Sequence, residues 1–420
     1  MAKFVIKGGK HLSGKIKVAG NKNAVLPCLA AAILTDDVCV LKNVPQISDV
    51  FVLAEIMKSL GVKIDGLGTS TLKISSRNIK SSIINSNLVN QLRASVLLCG
   101  PLLARFGKVS FSHPGGDVIG RRSIQTHMRA FSNFGFSFDD NDWPIYTGRK
   151  NLKVKEVEVY LEEASVTATE NVLLLAANFP GKTVIKNAAC EPHVADLCEM
   201  LVKMGAKVLG VRSNLLTIEG SKKLKGVTHV IPPDNIEVGT FAIAAAVTGG
   251  EIEILEAQKD DLNPIICFLS KFGLKIESRN NSLLIYPSRL KAVSKITTGV
   301  WPAFPTDLMS CMIVLATQAE GVTLLHDWMY ESRMFFVDKL ISMGAQVTIA
   351  DPHRVLVYGP TKLRGQILDT PDLRAGMALV IAALVADGKS EIDKIELVER
   401  GYENIEKRLS ALGASIKKVN

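Results

Sequence analysis

Six groups of polar residues stand at the entrances to long apolar stretches. Lys22-Asn23 precede AVLPCLAAAIL, Arg93 precedes ASVLLCGPLLA, and Ser165 with Thr169 open VTATENVLLLAA. Asp234 and Thr240 border IEVGTFAIAAAV, Asp307 precedes LMSCMIVLAT, and Asp372 with Arg374 lead into MALVIAALVA. Each stretch has helical length. A helix start presents unpaired N–H groups and a partial positive charge of about half an electron, which attracts phosphate and carboxylate groups. Asp, Ser, Thr and Asn there can equally be plain N-caps, a reading that stands level with the functional one for Thr240 and Asp372. The cations Lys22, Arg93 and Arg374 oppose the helix dipole and point to use, since a guanidinium holds a carboxylate or phosphate in two-pronged geometry.

A second unusual segment is FSHPGGDVIGRRSIQTH, residues 111–127. Pro114, Gly115, Gly116 and Gly120 make it read as a mobile lid, carrying the acid Asp117 and the cations Arg121 and Arg122. Phosphate-loop, dinucleotide and zinc-protease signatures are missing. The seven histidines form no close ligand pair, and the seven cysteines are scattered without a C-x-x-C pair, as expected of buried, reduced thiols.

The elements that position these residues recur. Six segments read as an amphipathic helix, a glycine and an alternating strand, with Gly61, Gly135, Gly205, Gly273, Gly344 and Gly413 as the pivots. Their spacings of 74, 70, 68, 71 and 69 residues mark a repeat. The six apolar stretches recur in the opposite phase; being apolar nearly all round, they belong inside, while the lysine-bearing set coats the outside. KFVIKGG, STLKISS, NLLTIEG, SLLIYPS and RVLVYGP supply strands. Six units predict two domains of three, residues 22–230 carrying the loop 111–122, and residues 1–21 with 231–420. The polar groups then gather at one end of each domain, and two crossings between domains suggest a cleft that opens and closes.

At 420 residues, 47% apolar and 22% charged, the chain has the composition of a globular protein. The apolar stretches reach about half the roughly 20 residues of a membrane span, and no signal-peptide pattern opens the chain, so a cytoplasmic protein without membrane association is expected. The net charge of +9 suits an anionic partner.

Several motifs in order carry a resemblance: GNKNAVLPCLAAAIL, LRASVLLCGPLLARFG, HPGGDVIGRR, NAACEP, PPDNIEVGTF, PAFPTDLM, TPDLRAGMALV and ERGYENIEKRLSALGA. From Gly9 to Ala414 the chain resembles the bacterial UDP-N-acetylglucosamine enolpyruvyl transferases of peptidoglycan synthesis. The resemblance implies an α/β fold, an inside-out α/β barrel of two domains, each of three repeated βαβαββ-type units. It implies no metal or organic cofactor, with phosphoenolpyruvate and UDP-N-acetylglucosamine as substrates; no nucleic-acid partner is expected, and the sequence leaves the oligomeric state open, a monomer being the expectation. By resemblance, Lys22, Asn23, Arg122 and Arg400 engage phosphoenolpyruvate. Arg93, Arg122, Ser123, Ile124, Gln125, Thr126, Ser165, Val166, Asp307 and Met329 engage the nucleotide sugar. Glu191, Asp234, Arg333 and Arg374 match supporting residues.

In that chemistry the sugar 3-hydroxyl adds to C2 of an enol phosphate while C3 is protonated, and phosphate then leaves. Asp307 is the candidate general base and Asp117 the candidate general acid, with Lys22 and Arg400 beside them. The commoner family pattern has cysteine where Asp117 stands. A carboxyl in place of a thiol implies activity shifted toward lower pH and insensitivity to fosfomycin, which alkylates that cysteine. Gln125 replaces a common acid, and Glu163-Ala164 replace a lysine and an apolar residue beside the uridine site, so uracil contacts differ in detail. Three readings stay open beside this one: a 5-enolpyruvylshikimate-3-phosphate synthase, against which HPGGDVIGRR and PAFPTD argue; an RNA 3'-phosphate cyclase-like protein, against which sparse aromatics argue; and an inactive paralogue.

Overall fold

The computed structural model describes residues 2–116, 119–120, 122–139, 145–150 and 156–419. The chain forms two units, one of Met1–Ala19, Asp117–Arg121 and Pro233–Asn420, the other of Gly20–Gly116 and Arg122–Pro232. Only Ile119 and Gly120 are described within Asp117–Arg121. Each unit has its own apolar core.

The apolar stretches are helices and lie inside. All thirteen residues of Asn235–Val247 are buried, as are nine of the ten in Lys22–Ala31. Val166–Ala177 and Leu373–Val385 repeat this. In two repeats the entrance is a tighter 3-10 turn, Arg93–Leu98 before Cys99–Phe106 and Thr306–Leu308 before Met309–Thr317. The outer helices Ser48–Ser59, Gln125–Ser132, Pro192–Met204, Asn263–Lys271, Val337–Ser342 and Ile405–Ala411 bury one face only. All six pivot glycines have positive φ. Gly205 shows why: at φ 115° its N–H caps the carbonyls of Leu201 and Val202, a left-handed position where a Cβ is penalised.

The five segments read as strands are strands: Lys3–Lys7, Thr71–Ser75, Leu215–Glu219, Ser282–Tyr286 and Arg354–Gly359. Among the described residues there are six sheets, three per unit. Five share one pattern, a parallel pair followed by two antiparallel pairs, as in Val157–Tyr160, Lys182–Lys186, Leu215–Glu219 and Lys207–Leu209. The exception is Lys108–Ser112, Ile145–Lys150 and Phe136–Asp139, where a single parallel bridge from Ile83 to Ser110 stands in for the fourth strand. Helices inside and sheets outside make each unit the inside-out α/β arrangement expected from the repeats.

The N-terminal strands belong to the unit of the C-terminal half. Lys3–Lys7 lies between Lys389–Asp393 and Ser415–Val419, and Ser13–Lys17 runs parallel to Glu251–Leu255. Among the described residues no helix is long and apolar enough to cross a membrane.

Five cysteines are buried, but Cys190 is half-buried and Cys267 exposed, on the outer helix Asn263–Lys271. One histidine, His229, takes a hydrogen-bonded core role, the ordinary one for a histidine outside a ligand pair. His229, distant in sequence from any acid or thiol partner, closes a buried trio with Asp196 and Cys28. Asp196 accepts from the Cys28 thiol (3.6 Å), and its other oxygen lies 3.0 Å from His229 Nε2. This ties an inner helix, an outer helix and the strand Thr228–Val230 together, and burial beside Asp196 pushes the Cys28 thiol up.

Candidate active site

In the unit of Gly20–Pro232 the polar groups form two clusters. Asn21 caps the first inner helix, accepting from the backbone N–H of Asn23 (2.8 Å) and Ala24 (3.0 Å). Lys22, buried at that helix start, pairs with Asp49 at 2.8 Å. An opposite charge explains how an ammonium is held against a helix dipole. Asp49 was not singled out by sequence, since an acid in the first turn of an outer helix is ordinary.

The second cluster centres on Arg93, whose Nη2 donates to the Ser123 carbonyl at 3.0 Å. Ser123 Oγ accepts from Gln125 N (3.1 Å), and Thr126 Oγ1 donates to Glu163 (3.1 Å). Ser165 caps its helix through Ala168 N, and Thr169 Oγ1 donates to the Ser165 carbonyl (2.8 Å) while accepting from Ala189 N. Arg93, 122–126 and 163–169 are thus brought together. Ile124 faces the core, so only its backbone is available to a ligand. Val166 opens the helix and is half-buried.

The glycines of the lid segment do more than loosen it. A Cβ on Gly115 would meet the Asn90 carbonyl at 1.8 Å, and one on Gly116 would meet Arg93 Cβ at 2.9 Å and Arg122 Nη2 at 3.2 Å. Glycine there lets the chain run against both arginines. Asp117 and Arg121 lie outside the described residues. Ile119 accepts from Ser332 N at 3.1 Å.

Electrostatics set protonation in this unit. His127 is buried, with Nε2 3.0 Å from Thr167 Oγ1, and desolvation with the Arg93 cation beside it lowers its pKa to about 3. His113 is lowered by the same two causes. Glu170, fully buried and missed by sequence, has its pKa raised well above the ordinary carboxylate value by desolvation and by Glu191.

In the other unit three inner-helix starts converge. Thr240 Oγ1 lies 3.0 Å from Tyr402 OH, Arg374 Nη1 donates to the same hydroxyl at 3.2 Å, and Arg374 Nη2 donates to Asp307 at 2.7 Å. Arg333 Nη2 holds the other Asp307 oxygen at 3.3 Å. Burial works against the charge of Arg374, but Asp307 and Tyr402 more than offset it and its proton is held more tightly than in a free arginine. Both arginine side chains are buried, at 2% and 5% exposure, whereas Asp307 keeps 27%. Asp307 is therefore the face of this cluster that reaches outward, oriented by the two arginine guanidiniums.

Asp234 and Asp372 are N-caps, each accepting from two backbone N–H groups. Arg400 ends the short turn Ile395–Arg400, half-buried, and Glu191 precedes the helix Pro192–Met204. Met329 N donates to Asp327, a buried carboxylate that no motif announced. Tyr402 lay within ERGYENIEKRL, but nothing in that run marks the tyrosine as the bridge between helices.

Residues 6–409 match the family described as EPSP synthase (3-phosphoshikimate 1-carboxyvinyltransferase). A UDP-N-acetylglucosamine 1-carboxyvinyltransferase of Borreliella burgdorferi is 47% identical over 427 residues, covering 100% of this chain and 99% of that protein. One of Treponema denticola is 45% identical over 426 residues, with 99% of each covered. Among solved structures, the enolpyruvyl transferase NikO from Streptomyces tendae superposes with a TM-score of 0.89 at 21% identity, covering 100% of this chain and 99% of that one. EPSP synthase from Acinetobacter baumannii gives 0.77 at 18%, with full coverage of both. At those identities the two structures speak for the fold alone. With its six repeats and a match along nearly its whole length, the chain belongs to the EPSP synthase family.

Proposed function

We propose that this chain transfers the enolpyruvyl group of phosphoenolpyruvate to the 3-hydroxyl of UDP-N-acetylglucosamine, releasing inorganic phosphate, in the cytoplasm and as a monomer. Asp307 takes the hydroxyl proton as the sugar O3–C2 bond forms. Asp117 gives a proton to C3, producing a tetrahedral intermediate. The C2–O bond to phosphate then breaks as C3 returns a proton, so the enol ether forms with no oxidant or metal in the balance. Lys22, Asn23, Arg122 and Arg400 hold phosphoenolpyruvate and neutralise the departing phosphate. Arg93, Arg122 to Thr126, Ser165, Val166 and Met329 hold the nucleotide sugar. Glu191, Asp234, Arg333 and Arg374 support them.

The observation that carries the reading is Asp307, exposed at 27% and fixed by two buried arginines. A base so held is aimed before substrate arrives, which is what proton abstraction from a hydroxyl requires. The choice of acceptor is supported by the full-length relatives at 45 and 47% identity, whose names specify the nucleotide sugar. Free cysteines throughout suit a reducing compartment, and one chain carries every residue named.

The test is phosphate release from phosphoenolpyruvate between pH 5 and 9 with UDP-N-acetylglucosamine or shikimate-3-phosphate. Release with the nucleotide sugar alone is expected. Release with shikimate-3-phosphate alone, or with neither, overturns the reading.

A further inference from the structure

Asp327 is fully buried and directly follows the strand Gly321–His326. Its backbone is fixed by His353, whose carbonyl accepts from Asp327 N (2.9 Å) and whose Nδ1 lies 2.7 Å from the Asp327 carbonyl. Four groups converge on its carboxylate. Thr298 Oγ1 donates at 3.1 Å, Met329 N at 3.0 Å and Thr306 Oγ1 at hydrogen-bond distance, and Arg333 Nε lies 4.0 Å away. A carboxylate taken out of water costs several kcal/mol unless donors and an opposite charge compensate it, and here all of them do.

The donors are not scattered residues. Thr306 is the neighbour of Asp307, Met329 is a nucleotide-sugar contact in the reading above, and Arg333 is one of the two clamps on Asp307. We infer that Asp327 is a positioning residue for the nucleotide-sugar side of the site. It touches no substrate, but one rigid anion sets the places of the Asp307 turn, the Met329 backbone and the Arg333 guanidinium together. The charge is needed as well as the shape. An amide accepts on one oxygen only, and its NH2 would face the Thr306 hydroxyl and the Arg333 cation.

This inference rests on the proposed transferase reading, and the experiment separates the two. Asp327→Asn is assayed by phosphate release with each substrate varied in turn, alongside the unaltered protein and with thermal unfolding recorded. The KM for UDP-N-acetylglucosamine is expected to rise at least tenfold while that for phosphoenolpyruvate stays within about twofold. A residue that merely stabilises the fold lowers the unfolding temperature and the amount of active protein without separating the two KM values. Should Asp327→Asn fail to fold, Thr306→Val removes one donor to the same carboxylate, with a threefold selective rise expected. Equal KM values in variant and unaltered protein, or a parallel rise in both, overturn the inference while leaving the transferase reading standing. No phosphate release by the unaltered protein overturns that reading and the inference with it.

Discussion

His127 makes the chemistry of the Arg93 cluster measurable through stability. The perturbation is a fall in pH from 7 to 5. Burial and the neighbouring Arg93 bring the folded pKa from 6.5 to about 3, so over this range the unfolded chain takes up a proton that the folded one refuses. Stability supplied by the neutral imidazole is therefore complete above 6.5 and is lost as pH falls. With those two values the linkage is about 0.2 kcal/mol at pH 7 and about 2 kcal/mol at pH 5. For a unit of roughly 200 residues that corresponds to about 4–8 °C in Tm. Other groups titrate in the same range, so calorimetry is compared with His127→Gln, whose amide cannot be charged. The variant is less stable at pH 7 through lost packing, and the gap between the two proteins closes by about 2 kcal/mol at pH 5. Parallel stability profiles for the two proteins between pH 7 and 5 would refute the account of His127 as a buried neutral base.

Asp307→Asn keeps the shape and removes the base; kcat for phosphate release should fall about 10²–10⁴-fold, and a fall under threefold assigns proton abstraction elsewhere. Glu170→Gln should gain in stability relative to the unaltered protein as pH rises above about 4.5, because a buried carboxyl with a raised pKa lowers folded-state stability once the unfolded chain ionises; urea midpoints at each pH check this, and a pH-independent difference contradicts it. Fosfomycin should leave the unaltered protein active and inactivate Asp117→Cys in a time-dependent manner, so rapid inactivation of the unaltered protein would remove the argument from the missing thiol.

Much of this was readable in advance because periodicity is a local property. The pivot glycines at about 70-residue spacing marked the six repeats, and all six have the left-handed backbone that a helix C-cap requires. The apolar stretches told inner helices from outer ones. Arg374 and Asp307 could be singled out as polar residues at apolar helix starts, and the structure joins them directly. What could not be read was pairing. Nothing in ISDVFVLAEIM says that Asp49 faces Lys22, nor in LLHDWMY that Asp327 gathers Thr298, Thr306 and Met329, because these contacts come from packing separate elements. The close approach at two of the lid glycines was hidden for the same reason: a Cβ on Gly115 or Gly116 would meet Asn90 or Arg93.

The place of the first strand has a consequence for synthesis. Lys3–Lys7 is an interior strand whose two neighbours, Lys389–Asp393 and Ser415–Val419, lie about 400 residues further along the chain. At about 5–20 residues per second, some 400 residues of elongation keep that strand waiting for roughly 20–80 s. The intervening unit, bounded by Gly20 and Pro232, has all its strands in hand before Lys389–Asp393 emerges and can close first. The first nineteen residues meanwhile expose an unpaired, alternating segment with Phe4 and Ile6 bare, the kind of edge that other chains can join. Shielding of this segment by a chaperone during synthesis would then govern the yield of the second unit while leaving that of the first unchanged.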